Sequence, residues 1–148
     1  MYNPWQFLQS LCEGISEKAQ VIVSLPNAGN LDLISDLASG YFNYKETGIL
    51  DVTHIRFFTR FEMIRMFYQT GFRVEQHAVL SESFPDKDLV FPVDVERVGI
   101  RIRVKSRAHW NSLRAIQFGF RLRKCTEESL TGRERTIRFA PHPPTRVF

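Results

Sequence analysis

The chain has 148 residues, 43% hydrophobic, 13% aromatic and 24% charged, which suits one globular domain large enough for a real core. No apolar run approaches the roughly 18 residues needed to cross a bilayer, and no basic start with an apolar stretch and small-residue cleavage site opens the chain. Cys12 and Cys125 lie far apart without metal spacing and the four histidines are scattered, so zinc is excluded and a cytoplasmic protein with free thiols is expected. The net charge of +4 conceals an asymmetry: residues 1–96 hold 7 Lys/Arg against 13 Asp/Glu, whereas residues 97–148 hold 13 against 3. A basic end of this kind attracts nucleic acid, anionic lipid or the acidic part of its own fold.

The segment NPWQFLQSLCEGI predicts a helix, with Asn3 as N-cap, Pro4 at the first helical position and Trp5, Leu8, Leu11, Cys12 and Ile15 as an apolar stripe. VIVSLPN, from Val21 to Asn27, reads as an interior strand covered on both faces, because its apolar run does not alternate. NLDLISDLASGYF follows as a short helix stopped by Gly40. A long irregular connection then runs to Phe58. Thr59 with Glu62 three residues later is a capping box ahead of FEMIRMFYQTG, and Gly71 fits a left-handed stop. FRVEQHAV reads as a strand and 81–96 as loop. GIRIRVK alternates as a half-exposed strand. SRAHWNSLRAIQFGFRLRK reads as one long helix capped by Ser106, and residues 125–148 as a polar, poorly ordered tail. The order of elements predicts an α/β fold, a sheet layered with helices, over residues 1–124.

Three segments between Asn3 and about Val79 carry a resemblance. NPWQFLQSL is similar to the helix after the fourth strand of class I S-adenosylmethionine-dependent methyltransferases. VIVSLPNAGN looks like their fifth strand and its exit loop. GYFNYKETGILDVTHIRFFT resembles their substrate-side loop, with the pattern G-x-L-D-x-T-H-x-R-F-F-T. The chain thus resembles the C-terminal half of such an enzyme, with a partial Rossmann-like sheet of about three strands. The family's glycine-rich cofactor turn, of G-x-G-x-G type, is absent: the eight glycines are isolated. The resemblance therefore implies S-adenosylmethionine as the family's cofactor but no binding by this chain alone. It also implies that Met1 stands at an internal methionine of a longer ancestral chain.

Two readings of DVTHIRFFT stay open. In one, His54 is a general base or acceptor-pocket ligand, Asp51 fixes its tautomer, and Arg56 holds an anionic group on the substrate. In the other, Thr59 caps a helix, Phe57 and Phe58 anchor the loop, and His54 and Arg56 satisfy loop carbonyls. Asn27 is either a ligand at the carboxyl end of a strand or an ordinary strand stop. Tyr44 either lines the pocket or packs on its own loop. His77 is expected on a strand surface and His109 in helix packing. Arg107, Arg114 and Arg121 recur every seven residues as a helical stripe, which together with Arg101, Arg103 and Lys105 binds phosphates or pairs with the acidic two-thirds.

These readings give three functional expectations. One is an acceptor-side methyltransferase half, inactive without a companion N-terminal half, acting on a small-molecule acceptor. The second is a non-catalytic module that oligomerises or binds protein, since an isolated VIVSL strand exposes an edge. The third is a basic nucleic-acid binder.

Overall fold

The computed structural model describes residues 3–139. Two small sheets and five helices make a mixed α/β fold. Helix α1 (Pro4–Gly14) begins where the Asn3 side chain accepts the Gln6 amide, with Pro4 in the first turn where its missing N–H costs nothing. Strand β1 (Gln20–Pro26) leads through a tight turn into helix α2 (Leu31–Ala38), whose N-cap Asn30 accepts the amides of Asp32 and Leu33. Residues 39–58 form the long connection. Helix α3 (Arg60–Gln69) starts at Thr59, whose hydroxyl accepts the Glu62 amide. It stops at Gly71, where φ is +86°; a Cβ there would also lie 2.9 Å from the Cys12 Sγ.

Strand β2 (Phe72–Glu82) is followed by a hairpin of β3 (Val93–Arg97) and β4 (Ile100–Val104), turned by Gly99 at φ +79°. The stretch expected to be loop from 81 to 96 therefore contains the end of one strand and most of another. Helix α4 (Arg107–Arg114) is capped by Ser106, which accepts the His109 amide.

The single long helix expected over residues 106–124 does not form. The chain leaves the helix at Ala115 and runs on as β5 (Ala115–Lys124), the central strand of a sheet ordered β1-β5-β2. β5 is antiparallel to both neighbours, so β1 and β2 are parallel to each other. The physical reason is local and long-range together. Phe118, Phe120 and Leu122 alternate with Gly119 and Arg121, and as a strand they bury one face while satisfying two ladders at once. Gly119 would weaken a helix, but here a Cβ would meet the Leu80 side chain at 3.0 Å.

α1 and α3 cover one face of this sheet. Leu8 and Cys12, Met63, Met66 and Phe67, and Phe72, Phe118, Phe120 and Leu122 form the main core. Each buried phenylalanine there contributes on the order of 2 kcal/mol. Leu31, Val104, Trp110 and Leu113 gather a second cluster between α2, the hairpin and α4. Among the described residues β1 is paired on one side alone, and its residues alternate between covered and outward, with Ile22 73% exposed. It is thus an edge strand with one covered face, not the interior strand its apolar run suggested.

Residues 125–139 depart from the expected tail. A short 3-10 turn (Glu127–Ser129) and helix α5 (Gly132–Phe139) follow β5, with Leu130 buried and the Tyr68 hydroxyl donating to Glu134 at 3.3 Å. Burial first, and then the Glu134 carboxylate, push the Tyr68 phenol up to about 12. Residues 140–148 of that expected tail lie outside the described residues.

Candidate functional site

The carboxyl ends of β1 and β2 and the start of β5 meet at one end of the three-stranded sheet. Two asparagines tie this end together. Asn27 is fully buried; its Nδ2 donates to the carbonyls of Ser112 and Ala115, both at 2.8 Å, and its Oδ1 accepts the Gly29 amide at 2.9 Å. Asn30 Nδ2 reaches the Ser83 hydroxyl at 3.0 Å and the carbonyls of Arg114 and Ala115 at 3.2 Å. The side chain of Asn27 is therefore spent on the α4–β5 junction and turns no polar atom toward a ligand.

Beyond this end, the connection after α2 folds back over the helix and encloses a cavity of about 250 Å³. Asp32 and Asp36, one turn apart on α2, face Tyr41, Asn43 and Lys45 across it, with Leu50 and Ile116 in its wall. Open α/β sheets bind ligands in this position, outside the carboxyl ends of their strands. A pair of carboxylates, an amide and a phenol suit a small molecule rich in hydroxyl or amino groups.

The residues singled out in DVTHIRFFT lie behind this cavity rather than in its wall. The Asp51 carboxylate accepts the Thr53 amide at 2.8 Å and the Thr53 hydroxyl at 2.7 Å. The Thr53 hydroxyl is the main reason that the Asp51 carboxyl sits below its ordinary value. Asp51 thus orders its own turn and does not bond the imidazole; its contact with His54 is through the backbone, His54 N–H donating to the Asp51 carbonyl at 2.8 Å. The His54 Nδ1 donates to the Ile49 carbonyl at 3.0 Å, which fixes Nδ1–H and leaves Nε2 as the ring's acceptor. Since Ile49 lines the cavity, His54 braces its wall. Arg56 is exposed on the same loop. Tyr44 packs edge-on against Phe42 at 5.5 Å between ring centres, with Phe57 closing an aromatic trio.

The lining acids escaped the sequence reading, although their i, i+4 spacing on one face of a short helix is a signal that could have found them. No model of a known protein family matches this chain, and no curated protein matches it either.

Two further features bear on function. Among the described residues no three His, Cys, Asp or Glu side chains come together as a metal site, and no helix is long and apolar enough to cross a membrane. The arginines of the basic end do not form the expected stripe. Arg114 is buried and Arg121 lies on β5. Arg101 pairs with Glu96, Arg103 with Asp94, Arg107 with Asp86 and Asp88, and Arg121 and Arg123 with Glu75. Among the described residues, six arginines of the basic third, Arg101, Arg103, Arg107, Arg114, Arg121 and Arg123, are thus answered by acids of residues 75–96.

Proposed function

We propose that this chain supplies the acceptor side of an S-adenosylmethionine-dependent methyltransferase, with the cavity between α2 and residues 41–50 as the acceptor pocket. The observation that carries this reading is the position of that cavity, beyond the carboxyl ends of two parallel strands joined through helices. Such crossovers are the unit of doubly wound sheets, the class to which the resembled family belongs. Among the described residues β1 keeps one edge unpaired, and in this reading the rest of the sheet adds there. In this reading Asp36 accepts the proton of an attacking hydroxyl or amine, Asp32 being paired with Arg97 at 3.3 Å, Lys45 and Asn43 orient it, and His54 holds the loop that closes over it.

The donor's site does not fit these residues. The strand-to-helix turn after β1 is Asn27-Ala28-Gly29-Asn30, and both asparagines close it against α4 and β5 rather than leaving a backbone cradle. A Cβ on Gly29 would lie 3.1 Å from Asn27 Oδ1, so this glycine serves the turn itself. The four glycines with positive φ lie elsewhere, Gly40 and Gly71 just after helices, Gly99 in the hairpin and Gly48 in the connection. In this reading a companion N-terminal half brings the cofactor, and this chain's own residues hold the acceptor. Calorimetric titration of S-adenosylmethionine into the purified chain is expected to give no binding heat. One-to-one binding would overturn the division of labour.

A second reading, a non-catalytic module that self-associates, is favoured by the uncovered sheet face, where Ile22 is 73% and Leu80 55% exposed beside the free edge of β1. Light scattering separates the two. A stable monomer that stays monodisperse at high concentration counts against self-association. The pairing of the arginines with carboxylates leaves a nucleic-acid role with little support.

A further inference from the structure

Away from that cavity, the start of α3 faces β2 and α4 across a second cleft. Its volume is about 220 Å³, and Arg60, His77, Asn111 and Ser112 supply its polar groups against the ring of Phe118. Arg60 Nη2 donates to His77 Nε2 at 2.6 Å, so the His77 proton sits on Nδ1. The guanidinium also lies 5.9 Å from the centre of the Phe118 ring. A larger cavity of about 650 Å³ adjoins it, sharing Arg60 and Ser112 and adding His109, Arg133, Ile64 and Ile137.

The chemistry of these walls is one-sided. Neither cavity is lined by an aspartate or glutamate, and among the described residues Arg60 forms no ion pair with a carboxylate. A partly buried guanidinium is normally answered by an oxyanion, which it binds through two parallel N–H donors. Here the answer is a neutral imidazole, a weaker acceptor. Burial lowers the pKa of both groups, and for His77 the Arg60 charge adds to it.

We propose that this cleft binds the phosphate or carboxylate group of a small molecule, with Arg60 as its anchor and His77 taking up a proton from solvent as the anion enters. A protonated His77 no longer accepts from Arg60; both become donors to the same oxyanion, and the body of the ligand lies in the larger cavity along Ile64 and Ile137. The other charged or titratable groups on the surrounding elements favour an anion or are already engaged. Arg133 on α5 and His109 on α4 line the larger cavity, Arg121 on β5 lies on the open side of the sheet, and Glu75 on β2 is held by Arg121 and Arg123. The proposal is independent of the acceptor pocket, since the two sites share no residue.

The test is NMR on the full chain, titrating inorganic phosphate and, separately, acetate against chloride at matched ionic strength. The expected result is a saturable shift of the His77 ring and of amides around Arg60 with at least one of the two oxyanions, and a protonation midpoint for His77 that rises in its presence. Arg60→Gln should weaken the response at least tenfold while the unfolding midpoint stays close to that of the unaltered chain. Arg101→Gln, on the paired surface, should leave it unchanged. Equal responses to chloride and to both oxyanions, or an undiminished response in Arg60→Gln, would overturn the assignment. So would shifts confined to the Arg101 and Arg103 surface.

Discussion

Arg114 and Arg60 both lie against an aromatic ring, yet their surroundings differ in the one respect that matters for a buried charge. Arg114, 3% exposed near Trp110, donates to Glu82 at 2.5 Å, to Asp86 at 3.0 Å and to the Phe84 carbonyl at 3.1 Å. Its charge is cancelled and most of its donors are used, which makes it a rivet between α4 and the segment after β2. Arg60 meets an imidazole and a ring. The difference teaches where to look for ligands in a chain with 20 basic residues. A saturated arginine holds the fold, and an arginine lacking an acid is available to something else.

The largest effect should come from breaking the saturated side. Arg114→Ala empties a buried space and takes the arginine from Glu82, while Asp86 keeps Arg107 and the Trp110 indole; lost packing and hydrogen bonds are expected to cost about 3 kcal/mol, measured by urea unfolding. Asn27→Ala tests whether the same junction depends on charge or simply on satisfied polar groups. It leaves the Ser112 and Ala115 carbonyls and the Gly29 amide short of a partner, and should cost about 2 kcal/mol. On the other side, Arg60→Gln should change stability by less than about 1 kcal/mol, since it removes no carboxylate pairing. If Arg60→Gln proved as damaging as Arg114→Ala, the distinction between the two arginines would vanish.

Acid sharpens the contrast further. The folded state holds His77 below its ordinary value of 6.5, by burial and then by the Arg60 charge. The unfolded chain therefore binds this proton first as pH falls. The stability tied to a neutral His77 is complete above the ordinary value and is lost as pH drops through the lower, folded one. NMR titration should place the His77 midpoint below that of a model peptide, and Arg60→Gln should move it part of the way back. The smallest effect belongs to Arg101→Gln, an exposed pair with Glu96, where unfolding should shift by no more than about 0.5 kcal/mol.

Much of the fold was legible because its signals are local. Asn3, Thr59 and Ser106 announce helix starts by side-chain chemistry that reaches three residues, and Gly71 announces a stop by its backbone alone. The reading failed where local and distant demands coincide. Trp110, Leu113 and Phe120 keep helical spacing across the end of α4, so the pattern ran on into a segment that two distant strands claim. Gly119 was the visible warning. The candidate site was less legible: the residues singled out in DVTHIRFFT lie outside the lining of the cavity, and the partners of Asn27 and Asn30 lie some 85 positions away, where no spacing rule reaches them.

The place of β5 in the chain has a consequence for biosynthesis. The strand that joins β1 to β2 is the last of the five to be made, and its register pairs Gln20 with Arg123. Until that segment clears the ribosome, neither earlier strand has its partner in this sheet, and the apolar sides of α1 and α3 have no floor to rest on. Closure across so long a separation is slow. Until β5 is made, the apolar faces of β1, β2, α1 and α3 stay uncovered, and exposed apolar surface and unpaired strand edges of this kind favour aggregation.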